Sequence, residues 1–148
     1  WGSAHYTGID VVPDLVASLR ARFGGPRVDF IEGNFLDADL PPADLVLCKD
    51  VLQHLTNAQV QLALDRLSSY PLALLTNDRV FYRRLGWRSL WKKEKIGVPN
   101  EDIAPGGWRP LILRDPPFNL KAQEILRYTV RSSGKVWVKE VLLVKNTT

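Results

Sequence analysis

The sequence predicts an α/β domain: an open, mostly parallel sheet with helices on both faces, finished by a C-terminal antiparallel hairpin. Three observations carry this expectation. Over residues 6–77, apolar runs of strand length alternate with stretches of helical periodicity, the order that leads to parallel strands joined by crossover helices. The run Leu45–Lys49 (LVLCK) is apolar nearly throughout, as in a strand covered on both faces. Near the end, the strand-like runs Ala122–Val130 and Val136–Lys145 flank the turn residues RSSGK, which is a hairpin pattern.

The elements follow in order. Tyr6–Asp10 is the first strand. Pro13 suits the first turn of a helix, where its missing N–H has no partner to lose, and Leu15, Val16, Leu19 and Phe23 recur at helical spacing. Gly24-Gly25-Pro26 ends that run. Val28–Glu32 is a second strand closed by Gly33-Asn34, and an acid- and proline-rich loop leads to Leu45–Lys49. Thr56 with Gln59 forms a capping box ahead of a helix whose apolar face is Val60, Ala63, Leu64 and Leu67. Pro71 stops it, and Leu72–Asn77 is a fourth strand. The stretch 78–117 is the least regular.

Composition narrows the function classes. The 148 residues suffice for one domain, 1–148, with a real core. A hydrophobic fraction of 45% with 24% charged residues is that of an ordinary soluble globular chain. One cysteine, Cys48, excludes an internal disulfide framework and fits a reducing, cytoplasmic setting. With only His5 and His54 besides, no metal cluster is expected. No apolar run is long enough for a membrane span, and no charged-then-apolar leader opens the chain. The net charge of +4 favours anionic partners without naming one. The absence of methionine and the start at Trp1 lead us to expect a piece of a longer chain.

In open α/β sheets, ligands bind beyond the carboxyl ends of the strands. Here those ends are Asp10, Gly33-Asn34-Phe35, Cys48-Lys49-Asp50 and Thr76-Asn77. Each has a plain alternative: Asp10 and Asn34 as turn formers, Phe35 as core, Asp50 as the opening of a helical turn. Asp50 and His54, four apart on such a turn, would let the carboxylate orient the imidazole as a general base; otherwise His54 simply packs between leucines. The segment 79–95 interleaves arginines and lysines with Phe81, Tyr82, Trp87 and Trp91. It reads foremost as a helix burying Phe81, Leu85 and Trp91, and alternatively as a nucleic-acid surface or as an amphipathic helix or lid lying on a partner or membrane surface. In GGWRPLILRDPP, Trp108 and Arg109 are candidates for a pocket wall and an anion partner of a substrate, or else pins for a proline-rich loop.

The segments YTGIDVVPDLV, FIEGNFLDADLPPADLVLCKDVLQHL and LLTN, in this order, resemble the second to fifth strands of class I S-adenosylmethionine-dependent methyltransferases. NEDIAPGGWRPLILRDPPFNL is similar to a segment in a bacterial-type branch of that superfamily. The resemblance implies a Rossmann-like class I methyltransferase fold and S-adenosylmethionine as cofactor. It places Asp10 at the ribose hydroxyls, Val11 and Val12 beside the adenine, Asn34 and Phe35 at the adenine amino group and ring, and the Cys48–Lys49 backbone beside the methionine part. Asn34 departs from the commoner Asp, although an amide oxygen still accepts a hydrogen bond. The glycine-rich first motif does not occur here, so we expect a first strand and that motif, about 30 residues or more, to lie outside this sequence. The implied activity is methyl transfer by in-line displacement to an unidentified acceptor, small-molecule or glycan-like rather than nucleic acid. The competing reading is a non-catalytic domain of the same fold that uses 79–95 for nucleic acid or a protein partner.

Overall fold

The computed structural model describes residues 2–84, 93–132 and 135–146. The chain divides into two compact units, Trp1–Pro41 and Pro42–Thr148.

The first unit is a strand–helix–strand motif. β1 (Tyr6–Asp10) and β2 (Val28–Glu32) pair in parallel, with Tyr6 opposite Val28 and Asp10 opposite Glu32. Between them runs α1 (Pro13–Phe23), which starts on Pro13 without a side-chain cap and ends where the Gly24 N–H bonds to the Arg20 carbonyl. Val16 is the buried residue of α1, with Phe30 of β2 and Leu36 the other buried apolar residues of this unit, whereas Leu15 and Phe23 are exposed. The helix therefore buries a narrower stripe than its spacing suggests. Gly8 is a requirement of packing, since a Cβ there would stand 2.7 Å from the Phe30 ring.

In the second unit, β3 (Leu45–Lys49) pairs in parallel with β4 (Leu72–Arg84). A 3-10 turn (Leu52–His54) and α2 (Asn57–Leu67) connect them. The capping box is complete: Thr56 Oγ1 accepts from the Gln59 N–H, and Gln59 Oε1 from the Thr56 N–H. Val60, Ala63, Leu64 and Leu67 are all buried, so the predicted helical face is the observed one. Among the described residues the sheet order is β3-β4-β7-β6, with β5 (Lys93–Ile96) on the far part of β4; β6 is Gln123–Ser132 and β7 is Lys135–Lys145. The β4–β5, β4–β7 and β6–β7 pairs are antiparallel, so the sheet is mixed, with the antiparallel strands at its C-terminal end.

The long β4 corrects the helix expected after Asn77. Residues 80–84 continue the strand, paired to β7 from Val80–Val138 to Arg83–Lys135, and 93–96 return as β5. The ladder passes through a bulge between Asp78 and Val80 that leaves Arg79 as the extra residue. Residues 85–92, with Leu85, Trp87 and Trp91, lie outside the described residues, as do Ser133 and Gly134 of the hairpin turn.

Candidate functional site

The first unit brings its predicted residues to one end of its parallel pair. The Gly33 N–H donates to the Asp10 carbonyl at 3.0 Å, joining the two strand-end loops. One carboxylate oxygen of Asp10, Oδ1, accepts from the Val12 N–H at 2.9 Å. Its Oδ2 has no hydrogen-bond partner among the described residues. Val11 and Val12 beside it are 62% and 47% exposed. Asn34 shapes the turn after β2: its Oδ1 accepts from the Leu36 N–H at 3.1 Å and its Nδ2 donates to Asp37 at 3.4 Å. Phe35 is half-buried next to it.

In the second unit, the carboxyl end of β3 and the middle of β4 carry a charged network the sequence reading did not assemble. Lys139 Nζ, on β7, lies 2.7 Å from Asp50 Oδ1 and 2.6 Å from Asp78 Oδ1. Asp78 Oδ2 accepts from Gln53 Nε2 at 3.0 Å and from the Trp108 indole at 3.1 Å. The Asp78 N–H in turn donates to Gln53 Oε1, and the Asp78 carbonyl accepts from Leu111 at 2.7 Å. Asp50 also pairs with Lys49 and sits at φ 58, a left-handed conformation that an Asp tolerates better than most residues. Burial alone would raise the Asp50 pKa, but the bonds and charges of Lys139 and Lys49 outweigh it and hold the carboxyl below its usual range. Burial likewise opposes the Lys139 charge, and Asp50 and Asp78 overcome it, so its pKa is raised.

This geometry alters two expectations. Asp50 does not orient His54, because its carboxylate is held by two lysines. The left-handed residue prevents the turn from continuing back to Asp50, so the four-residue spacing does not bring the two side chains together. His54 instead sets its Nδ1 2.9 Å from the Gly107 carbonyl oxygen. Arg109, expected at an anionic substrate group, is 1% exposed and donates to the carbonyls of Leu52 and Gln53 and to Asn57 Oδ1. It therefore pins the loop, as the plainer alternative had it. Trp108 is half-buried, with its N–H on Asp78. At Cys48, burial first and the Asp50 charge second push the thiol up to about 12, so it remains protonated near neutrality and is no nucleophile.

On the other side of β4, Glu140 is fully buried and pairs with Arg79 at 2.9 Å and with Arg114 at 3.5 Å. Lys139 and Glu140 had a sequence signal: two adjacent charges inside VWVKEVLLV demand partners on both faces of the strand. Among the described residues, no group of His, Cys, Asp and Glu could hold a metal ion. Nor is any helix among them long and apolar enough to cross a membrane.

Comparison with known proteins gives one family match and several structural ones. Residues 1–70 match the family model of a methyltransferase domain. The chain is similar to N-methyltransferase NodS from Bradyrhizobium japonicum WM9 in complex with S-adenosyl-L-homocysteine, at 14% identity and TM-score 0.54, over 93% of this chain and 66% of that one. It is similar to human N-acetylserotonin methyltransferase in complex with SAM, at 15% identity and TM-score 0.56, over 97% of this chain and 41% of that one. For magnesium protoporphyrin IX methyltransferase ChlM from Synechocystis PCC 6803 with bound SAH, the figures are 11% and 0.58, over 97% of this chain and 65% of that one. The chain thus spans 66% or less of the length of each. No curated protein matches it. At these identities the structural likeness establishes an α/β methyltransferase-like fold.

Proposed function

We infer that the chain is a class I S-adenosylmethionine-dependent methyltransferase, a reading supported by the methyltransferase-domain match over residues 1–70 and by its fold, and we propose that it transfers a methyl group from S-adenosylmethionine to a small-molecule acceptor. The observation that carries the proposal is Asp10: a strand-end carboxylate with one oxygen fixed by the Val12 N–H and the other without a hydrogen-bond partner among the described residues, beside two exposed valines. A charged acceptor next to an apolar patch is the donor-and-surface chemistry a nucleoside asks for, with ribose hydroxyls on the carboxylate and the base on the valines. Asn34 and Phe35, held beside the same strand ends, complete the assignment: a remaining lone pair of the amide oxygen for the adenine amino group, the phenyl ring for its face.

When bound, S-adenosylmethionine supplies a methyl group on a sulfonium, whose departure as a neutral thioether drives the displacement. The chain's own residues orient and desolvate the reactants, which is where most of the acceleration of such a transfer arises. A small-molecule acceptor is supported by the names of the human and Synechocystis proteins, whose acceptors are N-acetylserotonin and magnesium protoporphyrin IX. The single free cysteine supports a reducing, cytoplasmic setting. Thermal unfolding of the protein with increasing S-adenosylhomocysteine tests the proposal. A ligand at about 100 times its Kd adds about 2.7 kcal/mol of stability, visible as a raised Tm. A Tm that does not move at millimolar ligand refutes it.

A further inference from the structure

Asn77 and Glu140 stand directly opposite each other in the β4–β7 ladder, so their side chains share one face of the sheet. Both residues are fully buried. One oxygen of Glu140, Oε2, is engaged by Arg79 at 2.9 Å and by Arg114 at 3.5 Å. The other, Oε1, is buried without a hydrogen-bond partner among the described residues, and so are both amide atoms of Asn77, Oδ1 and Nδ2. Arg114 Nε is in the same condition, on a side chain that already reaches Glu140. A buried polar atom left unpaired forfeits the hydration it had in the unfolded chain, so a cluster of them on neighbouring side chains calls for a ligand. The ladder is also irregular here. The bulge after Asp78 makes Arg79 the extra residue, two positions beyond Asn77, and interrupts the even packing of the two strands.

The unpaired atoms are two acceptors, Glu140 Oε1 and Asn77 Oδ1, and two donors, Asn77 Nδ2 and Arg114 Nε. An ion matches only half of that set. A cation would add to the charge of Arg79, Arg114 and Arg127, which already balance Glu140 and Glu124, and an anion would face the free carboxylate oxygen. A neutral molecule that both donates and accepts suits all of them. The complete burial of Asn77 and Glu140 restricts it to the smallest such molecule.

We propose that an internal water bridges the Asn77 side-chain amide and Glu140 Oε1 and is a structural part of the β4–β7 seam. It donates a hydrogen bond to Glu140 Oε1 and accepts one from Asn77 Nδ2–H, and Arg114 Nε–H is the further donor of the set. About three partners are the usual complement of an enclosed water. Both oxygens of the buried Glu140 are then satisfied, Oε2 by arginines and Oε1 by water. All these residues belong to the second unit, and the inference is independent of what the chain binds or catalyses.

Two measurements on the protein in solution test this. In the wild type, nuclear Overhauser spectra excited at the water frequency should show cross-peaks to the Asn77 side-chain amide protons. Their signs should be opposite in the laboratory and rotating frames, the mark of a held water rather than of hydrogen exchange. No cross-peaks, or the same sign in both frames, overturns the proposal. Oxygen-17 relaxation dispersion counts long-lived internal waters, and Asn77→Leu should lower the count by at least one relative to the wild type. An unchanged count overturns it. The first measurement needs no substitution and decides by itself where Asn77→Leu does not fold.

Discussion

Replacing Lys139 by Met removes the cation shared by two carboxylates while keeping most of the buried stem. At 2.6 and 2.7 Å, an effective dielectric of about 20 gives each pair about 6 kcal/mol of attraction before desolvation is counted. Much of that is offset by burying the charge, on a side chain the structure leaves 12% exposed. The Asp50 half is weakened further, because that side chain is 27% exposed and keeps Lys49. The cost falls on Asp78, 4% exposed, which among the described residues would retain the side-chain donors of Gln53 and Trp108. Orphaning a buried partner costs about 3–5 kcal/mol, so we expect about 3 kcal/mol here. For 148 residues that lowers the Tm by about 10 °C. Urea unfolding read by tryptophan fluorescence measures it, with a second variant as control. Adding Asp78→Asn removes the orphaned charge and should restore about 1–2 kcal/mol. A loss below about 0.5 kcal/mol in Lys139→Met, or no recovery in the double variant, refutes the reasoning.

The same network sets a pH window. Asp50 has a depressed pKa, so its contribution is present above the ordinary carboxylate value of 3.8 and is lost as pH falls through the lower folded value. Lys139 has a raised pKa, so its contribution is complete below 10.5 and is lost as pH rises through the higher folded value. Stability measured across pH should be flat between those limits for this network, and Lys139→Met should flatten the acid limb. Cys48, pushed from 9.0 to about 12, should carry about 1,000-fold less thiolate at pH 8 than an ordinary cysteine and resist iodoacetamide until the protein unfolds. Glu140→Gln should destabilise by about 3 kcal/mol in urea melts, because it leaves Arg79 and Arg114 without their buried counter-charge.

The strands Tyr6–Asp10, Val28–Glu32 and Leu45–Lys49 have their predicted bounds, and the Thr56–Gln59 box opens α2 as its residues demand. These elements are decided locally, by apolar runs closed by glycine, acid or a cap. The continuation of β4 is not. The stretch NDRVFYRR suits helix or strand equally, and what decides is pairing with β7, more than fifty residues away in the chain. The position of Asp10 at the end of a parallel strand was legible, because the apolar run closes on it. The surroundings of Asp50 and His54 were not, since the four-residue spacing presumes a helical turn that a left-handed Asp50 interrupts. Arg109 illustrates the limit of reading charge as recognition: an arginine flanked by Trp108 and Pro110 can equally be a fastener, and three carbonyl and amide oxygens of its own chain engage it.

The most direct test of the account is calorimetric titration of S-adenosylhomocysteine into the wild-type protein and Asp10→Ala. Hydrogen bonds to a charged carboxylate are worth about 1.5–3 kcal/mol, so losing the ribose contact should weaken binding by about 10- to 150-fold with the fold intact. Equal affinity in the two proteins would contradict the assignment of Asp10 and, with it, the reading of this strand end as the nucleoside site.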